Sequence, residues 1–270
     1  MDSLTVYNKT YKLIQSIYSS RLKIQILLSV AGGTKTLAEL RDVTGSTSQA
    51  IIPKIRGLER LALIEPQEHG YVLTPTGKIV ATKIGDFILT IGELTQHKEF
   101  WATHDIEGIP HPFLHGIGEL FDSEVKFDTT DSMFHVYANF VRVLREGSFI
   151  HGLSSVMSPE IADVLAERVM AGIPVDLIVN RTIISALTQE PFASKVQHLR
   201  PFTNFRIWVT DEPLRVGITV TDKHLSFGLN KRETNIYDSS ADMYSNNPRA
   251  IAWAERLFNY YKERSTQLTL

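Results

Sequence analysis

Residues 45–71 read GSTSQAIIPKIRGLERLALIEPQEHGY, and the order of parts in this stretch leaves few folds open. Ser46 or Thr47 offers a hydroxyl to the free N–H groups of a first helical turn. Ala50, Ile51, Ile55, Leu58 and Leu61 then recur at three- and four-residue spacing, which predicts one buried stripe. Residues 63–65 and 71–73 read as strands joined around His69-Gly70, a hairpin. Upstream, residues 21–30 (RLKIQILLSV) carry an apolar face that Ala31-Gly32-Gly33 breaks. Thr36 is placed to cap a second short helix, LAELRDV, and Gly45 to turn the chain into the third. Three helices followed by a hairpin make a winged helix-turn-helix, expected over residues 1–76.

Ser48, Gln49, Ile52, Lys54 and Arg56 fall on or beside the open face of the third helix. Short hydrogen-bonding residues near a helix N-terminus suit base edges, and cations further along suit phosphates. A polar face alone equally describes a solvated surface. The helices before it and the hairpin after it turn the reading towards double-stranded DNA. Thr47, Ser48, Gln49, Lys54 and Arg56 are the expected contacts, with His69 at the wing tip. Pro53 departs from the pattern, because a proline inside a helix costs about 3 kcal/mol. Charge agrees modestly. Residues 1–80 hold 10 Lys/Arg against 6 Asp/Glu, while the whole chain is at −2, so a basic head precedes an acidic body.

The chain has 270 residues, enough for two domains with separate cores. It contains no cysteine, which excludes disulfides, thiolate nucleophiles and Cys-ligated metals. The N-terminus is polar and of mixed charge, unlike a secretory signal. No apolar run approaches the length of a membrane span. The expectation is a cytoplasmic protein that uses no cofactor and no membrane.

Residues 77–101 read as one long helix, with Ile79, Lys83, Phe87, Ile91 and Leu94 near one face. Such a helix after a wing either pairs with its twin in a homodimer or packs on the chain's own second domain. DNA half-site geometry favours the homodimer. Residues 104–115 (HDIEGIPHPFLH) read as a linker, so 77–113 is the connecting segment and 114–270 the second domain. There, helices are expected at 131–145, 159–171, near 183 and 196, and at 248–264. Strands are expected at 148–153, 175–179, 205–209, 215–221 and 224–229. Strands alternating with helices predict an α/β layered domain, so the fold class is mixed α/β.

The segment YDSSADMYSNNPRAIAWAERLFNYYKERS, with VDLIVN and VTDKHLSFGL before it, resembles the C-terminal domain of a family of archaeal regulators found in methanogens. Those proteins pair an ArsR-like winged helix with the methanogenesis regulatory protein middle domain. The segments IPHPFLHGIGEL and QAIIPKIRGLERLALIE are similar to that family too, so the resemblance covers nearly the whole chain. It implies transcriptional control, including of genes for methylotrophic methanogenesis, and it implies that a proline is common in the third helix. The second domain also resembles half of a phospholipase D-like fold, a degenerate one. Active members carry H-x-K-x4-D, and counting back from Asp222 puts Arg215 and Gly217 where the histidine and lysine belong.

No P-loop, HExxH or GxSxG motif is present, and the reading is non-enzymatic. His111 and His115 have metal-capable i,i+4 spacing, but Pro110 and Pro112 argue against a helix there. A small-molecule sensor is the better account, because ligands of open α/β sheets collect beyond the carboxyl ends of strands. His151, Ser154 and Ser155 stand after one strand, and Asn180 and Arg181 after the next. Arg215 opens the hairpin, and Tyr237 and Asp238 lie beyond it. These eight are the expected ligand-binding residues, and the two arginines suit an anionic effector. The expected mechanism is a homodimer whose effector alters promoter binding. A protein-interaction adaptor and a degenerate phosphodiesterase-like hydrolase are the alternatives.

Overall fold

The computed structural model describes residues 2–129 and 134–269. The chain divides into two compact units, after Ile88. The first opens with α1 (Ser3–Tyr18), α2 (Arg21–Ala31) and α3 (Leu37–Thr44). Thr36 and Glu39 close a reciprocal capping box at the start of α3, and Gly45 ends it in the left-handed conformation (φ 61°). The helix α4 (Ser48–Arg60) leads into the hairpin of β1 (Ile64–Gln67) and β2 (Gly70–Leu73). Lys35 and Tyr71 exchange backbone hydrogen bonds of 3.1 and 2.8 Å, an isolated antiparallel bridge that ties the segment before α3 to β2. Ile26, Leu27, Leu40, Ile51, Ile55 and Leu58 fill a core closed by Ala81 and Ile84. This is the expected winged helix-turn-helix.

One local expectation is corrected. Ala50 is exposed, and the α4 stripe is Ile51, Ile55 and Leu58, with Gly57 buried beside it. Pro53 sits inside α4 on its exposed side. The carbonyl it leaves without a helix partner belongs to exposed Gln49, where water can satisfy it.

The long helix is shorter than the sequence predicts. α5 (Pro75–Gln96) ends before His97, and α6 (Lys98–Thr103) follows. Glu93 explains the break: fully buried, it accepts a 3.0 Å hydrogen bond from Trp101 Nε1 across the bend. The other carboxylate oxygen of Glu93 has no hydrogen-bond partner, and His97 Nε2 lies 3.9 Å from it. Burial pushes the Glu93 carboxyl up to about 7 from an ordinary 4.5, with Asp122 adding repulsion. A raised acid contributes its stability below the unfolded value and loses it as pH rises through 7. Glu93→Gln is therefore expected to match the wild type at pH 5. At pH 8 it should be the more stable, by on the order of 2–3 kcal/mol. Urea titrations at the two pH values measure this, and equal differences at both would discount the carboxyl's titration.

Residues 104–115 are built into the second unit and do not form a free linker. Ile109 is buried in its core with Phe100, and Phe113 packs against the same cluster. A short α7 (His111–Leu114) forms despite the prolines, because Pro112 lies in its first turn where no N–H is needed. The His111 and His115 rings meet edge to face. Among the described residues, no group of three or more His, Asp or Glu is placed to hold a metal ion.

The second unit is a three-layer body. After β3 (Glu124–Phe127), α8 (His135–Glu146) and β4 (Ile150–Ser154) come α9 (Pro159–Met170), β5 (Val175–Asn180), α10 (Arg181–Leu187) and α11 (Phe192–Leu199). The chain then forms β6 (Phe205–Thr210), β7 (Val216–Val220), β8 (Leu225–Leu229), β9 (Ala241–Ser245), α12 (Pro248–Lys262) and β10 (Thr266–Leu268). The eight strands run β10-β6-β5-β4-β7-β8-β9-β3, with β4, β5 and β6 parallel and the other pairings antiparallel. α12 covers one face through Trp253, Leu257 and Phe258. On the other face α8, α9, α10 and α11 pack with Ile150, Val175, Val179 and Ile207. The expected helix at 131–145 begins at His135, and residues 131–133 lie outside the described ones. β9 is a strand not among those expected: all five of its residues are buried, Asp242 included.

Candidate functional site

Thr47 is the N-cap of α4, and its hydroxyl accepts from the Ala50 N–H at 3.4 Å. Gln49, Ile52, Pro53, Arg56 and Arg60 are exposed at helical spacing, one outward face. Ser48 and Lys54 are half-buried at its sides, and His69 is exposed at the tip of the hairpin. Arg56 is held by Glu59 at 2.9 Å, so its charge is partly answered within the helix. Lys23 and Arg60 were missed by the sequence reading. The Lys23 ammonium donates to the Ser16 carbonyl and hydroxyl, both at 2.8 Å. Burial lowers its pKa first, and the nearby charges of Lys54 and Arg60 lower it further. Three cations close enough to repel one another form a patch that a phosphate would relieve. Lys23 lies 31 positions before Lys54 in the chain, so nothing local links them.

In the body, a cavity of about 360 Å³ opens between the sheet and the α8–α9 side. Phe140, Leu144, Met157, Ile161, Leu165 and Val179 form much of its apolar wall. Ser226, Thr219, Tyr237, Asp238 and Asp242 gather at a polar end. Gly217 and Gly228 make room there for the Tyr237 ring, whose atoms would lie 2.8 Å from a Cβ at either position. Burial pushes the Tyr237 hydroxyl well up, and it pushes the Asp242 carboxyl up to about 7. At Asp238 burial also pushes upward, but hydrogen bonds from Ser240 and the Lys231 ammonium outweigh it and hold the carboxyl low.

Of the eight expected ligand residues, Ser154, Tyr237 and Asp238 line this cavity, and the other five do not. His151 points to the opposite face, where it stacks on Phe258 and pairs with Glu255 at 3.0 Å. Residues three apart on a strand face opposite ways, so His151 and Ser154 cannot share a site. Ser155 follows β4 outside the lining. Asn180 is the N-cap of α10 and accepts from the Ile183 N–H. Arg181 pairs with Asp211 at the surface, and Arg215 with Asp105 at 3.0 Å. The arginines do not converge, and among the described residues the cavity lining contains no Lys, Arg or His. An anionic effector loses the basis on which it was expected.

A winged helix-turn-helix joined to a three-layer α/β body defines the class of protein. Family models place it further. The methanogenesis regulatory protein FilR1 N-terminal domain matches residues 11–92 and the FilR1 middle domain matches residues 133–264. The chain belongs to this FilR1 family. It is 28% identical over 260 residues to methanogenesis regulatory protein FilR1 of Methanothrix harundinacea (strain 6Ac), covering 95% of this chain and 58% of that protein. The chain thus spans little more than half the length of that relative. TrmBL2, described as an archaeal chromatin protein with a novel mode of DNA binding, aligns over 97% of this chain and 99% of its own. Its TM-score is 0.43 at 16% identity. Phosphatidylserine synthase of Haemophilus influenzae Rd KW20 aligns over 54% of this chain and 39% of its own, with TM-score 0.38 at 11% identity. Scores this low carry no argument. Among the described residues no helix is long and apolar enough to cross a membrane.

Proposed function

We propose that this protein is a transcriptional regulator that binds double-stranded DNA through α4 and its wing, as a homodimer, and that its body senses a small effector. The observation that carries the reading is the outward face of α4, with Gln49 and Arg56 exposed beside the Lys23–Lys54–Arg60 patch. Gln49 and Ile52 suit base edges and thymine methyls, and the cations suit phosphates. The relative's name supports control of methanogenesis genes. A DNA partner implies a cytoplasmic protein. Ile79, Phe87, Ile88 and Ile91 are exposed along α5, as are Leu4, Tyr7 and Tyr11 on α1, and a second copy would cover such faces. Two copies would then present two α4 helices to successive major grooves. An effector that prefers one arrangement of the pair would tune the affinity.

Fluorescence anisotropy with duplexes from the gene's own upstream region, over a salt series, tests the reading. Saturable binding that falls steeply with salt is expected. Lys54→Ala and Arg60→Ala should each lower the salt slope by about one. No binding to any duplex at low salt would instead favour an adaptor whose winged helix contacts protein.

A further inference from the structure

Asp242 is an acid of the body cavity that forms no ion pair among the described residues, although hydrogen bonds from Ser226, Tyr244 and the Met243 backbone partly offset its burial. It is 4% exposed on β9. One carboxylate oxygen accepts from the Ser226 hydroxyl, and the other, Oδ1, has no hydrogen-bond partner. The neighbouring acids are answered already. Asp238 has the Lys231 ammonium at 3.4 Å and His104 Nε2 at 3.3 Å, and Asp128 accepts from the Val136 N–H at 2.9 Å. Beyond Asp242 the wall becomes aliphatic and aromatic along α8 and α9. A buried acceptor at one end of an apolar chamber calls for a ligand with one donor head and an apolar body.

We propose that the cavity binds a small organic amine, with its protonated nitrogen against Asp242 Oδ1 and its apolar body along the α8–α9 wall. The inference rests on the body being the effector-binding unit, and it names that effector's chemical class. An ammonium supplies both an N–H for Oδ1 and a positive charge for a carboxylate that forms no ion pair among the described residues, since Lys126, its cross-strand neighbour on β3, is paired with Glu124 at 3.2 Å. Burial pushes the Asp242 carboxyl up to about 7, and a cation beside it would favour the carboxylate. A neutral alcohol supplies the hydrogen bond without the charge. A carboxylate ligand would meet Asp242 with no Lys, Arg or His among the described residues of the cavity wall.

Calorimetric titration of the full chain with 4-phenylbutylamine, 4-phenylbutan-1-ol and 4-phenylbutanoate decides the matter without DNA present. The amine is expected to bind saturably and at least about ten-fold tighter than the alcohol, with no binding by the acid. Asp242→Asn should bring the amine down to the level of the alcohol and leave the alcohol unchanged. Met157→Trp, which fills the chamber, should abolish both. Circular dichroism melts check that the variants are folded, and the ranking on the wild type decides even if a variant is not. Three results would overturn the proposal: the acid binding as tightly as the amine, amine binding untouched by both substitutions, or no binding by any of the three. None of them bears on the DNA reading, whose own titration succeeds or fails independently.

Discussion

Trp253→Ala is expected to remove about 3–5 kcal/mol from the stability of the body, the range for deleting a large buried aromatic. Trp253 is fully buried, edge-on to Phe227 at 5.5 Å and to Phe113 at 6.0 Å. Its indole N–H donates to the Phe113 carbonyl at 3.1 Å. The substitution therefore opens a void where α12 meets β7 and β8, and it removes one of two donors to the half-buried Phe113 carbonyl, which keeps the Gly116 N–H at 3.1 Å. Trp253→Phe keeps most of the ring and loses the hydrogen bond, so about 1–2 kcal/mol is expected there. Urea unfolding followed by circular dichroism gives both numbers. Hydrogen exchange should localise the damage to residues 109–120 and α12. The winged-helix core contains none of these residues, so amides of α2 and α4 should keep their protection. Uniform loss across both units would contradict two separate cores.

That separation was legible because each signal for it is local. The capping box at Thr36, the stripe on α4 and the glycine-tipped hairpin each occupy a few consecutive residues, and each formed. Ala50 shows the limit, since small residues at a stripe's edge carry little information about which side they take. The body was harder. β9 reads as polar because Asp242 is buried in it, and burying a carboxylate reflects the cavity across the sheet from α12, which no local pattern records. Gly217 and Gly228 matter because Tyr237 lies over them, a contact made by residues from three places in the chain. For the ligand residues a signal was available and unused: strand parity separates His151 from Ser154. Arg181 and Arg215 looked like an anion site because their acidic partners, Asp211 and Asp105, are 30 and 110 positions away.

Gly77→Ala is expected to destabilise the winged-helix unit by about 2–3 kcal/mol, even after the roughly 1 kcal/mol that alanine gains over glycine in a helix. Gly77 is in the first turn of α5, where the Thr74 hydroxyl accepts its N–H at 2.9 Å. A Cβ there would stand deep inside van der Waals contact of the Leu63 carbonyl oxygen and 2.7 Å from its carbon. That carbonyl cannot simply retreat, since it accepts from the Thr74 N–H at 3.1 Å where the chain leaves the hairpin. The clash thus pushes α5 away from the segment joining α4 to β1, and both Leu63 and Ala81 sit in the core on either side of it. Gly85→Ala on the same helix is the control. Its Cβ would meet Leu28 at 4.0 Å, an ordinary contact, so the helix gain should appear as neutral or slightly increased stability. Hydrogen exchange of the α2 and α4 amides reads both variants, and DNA affinity should fall for Gly77→Ala alone, because the wing would lose its fixed position relative to α4. Equal protection in the two variants would mean that α5 can shift without disturbing the hairpin, and the wing would then be held by Lys35 and Tyr71 instead.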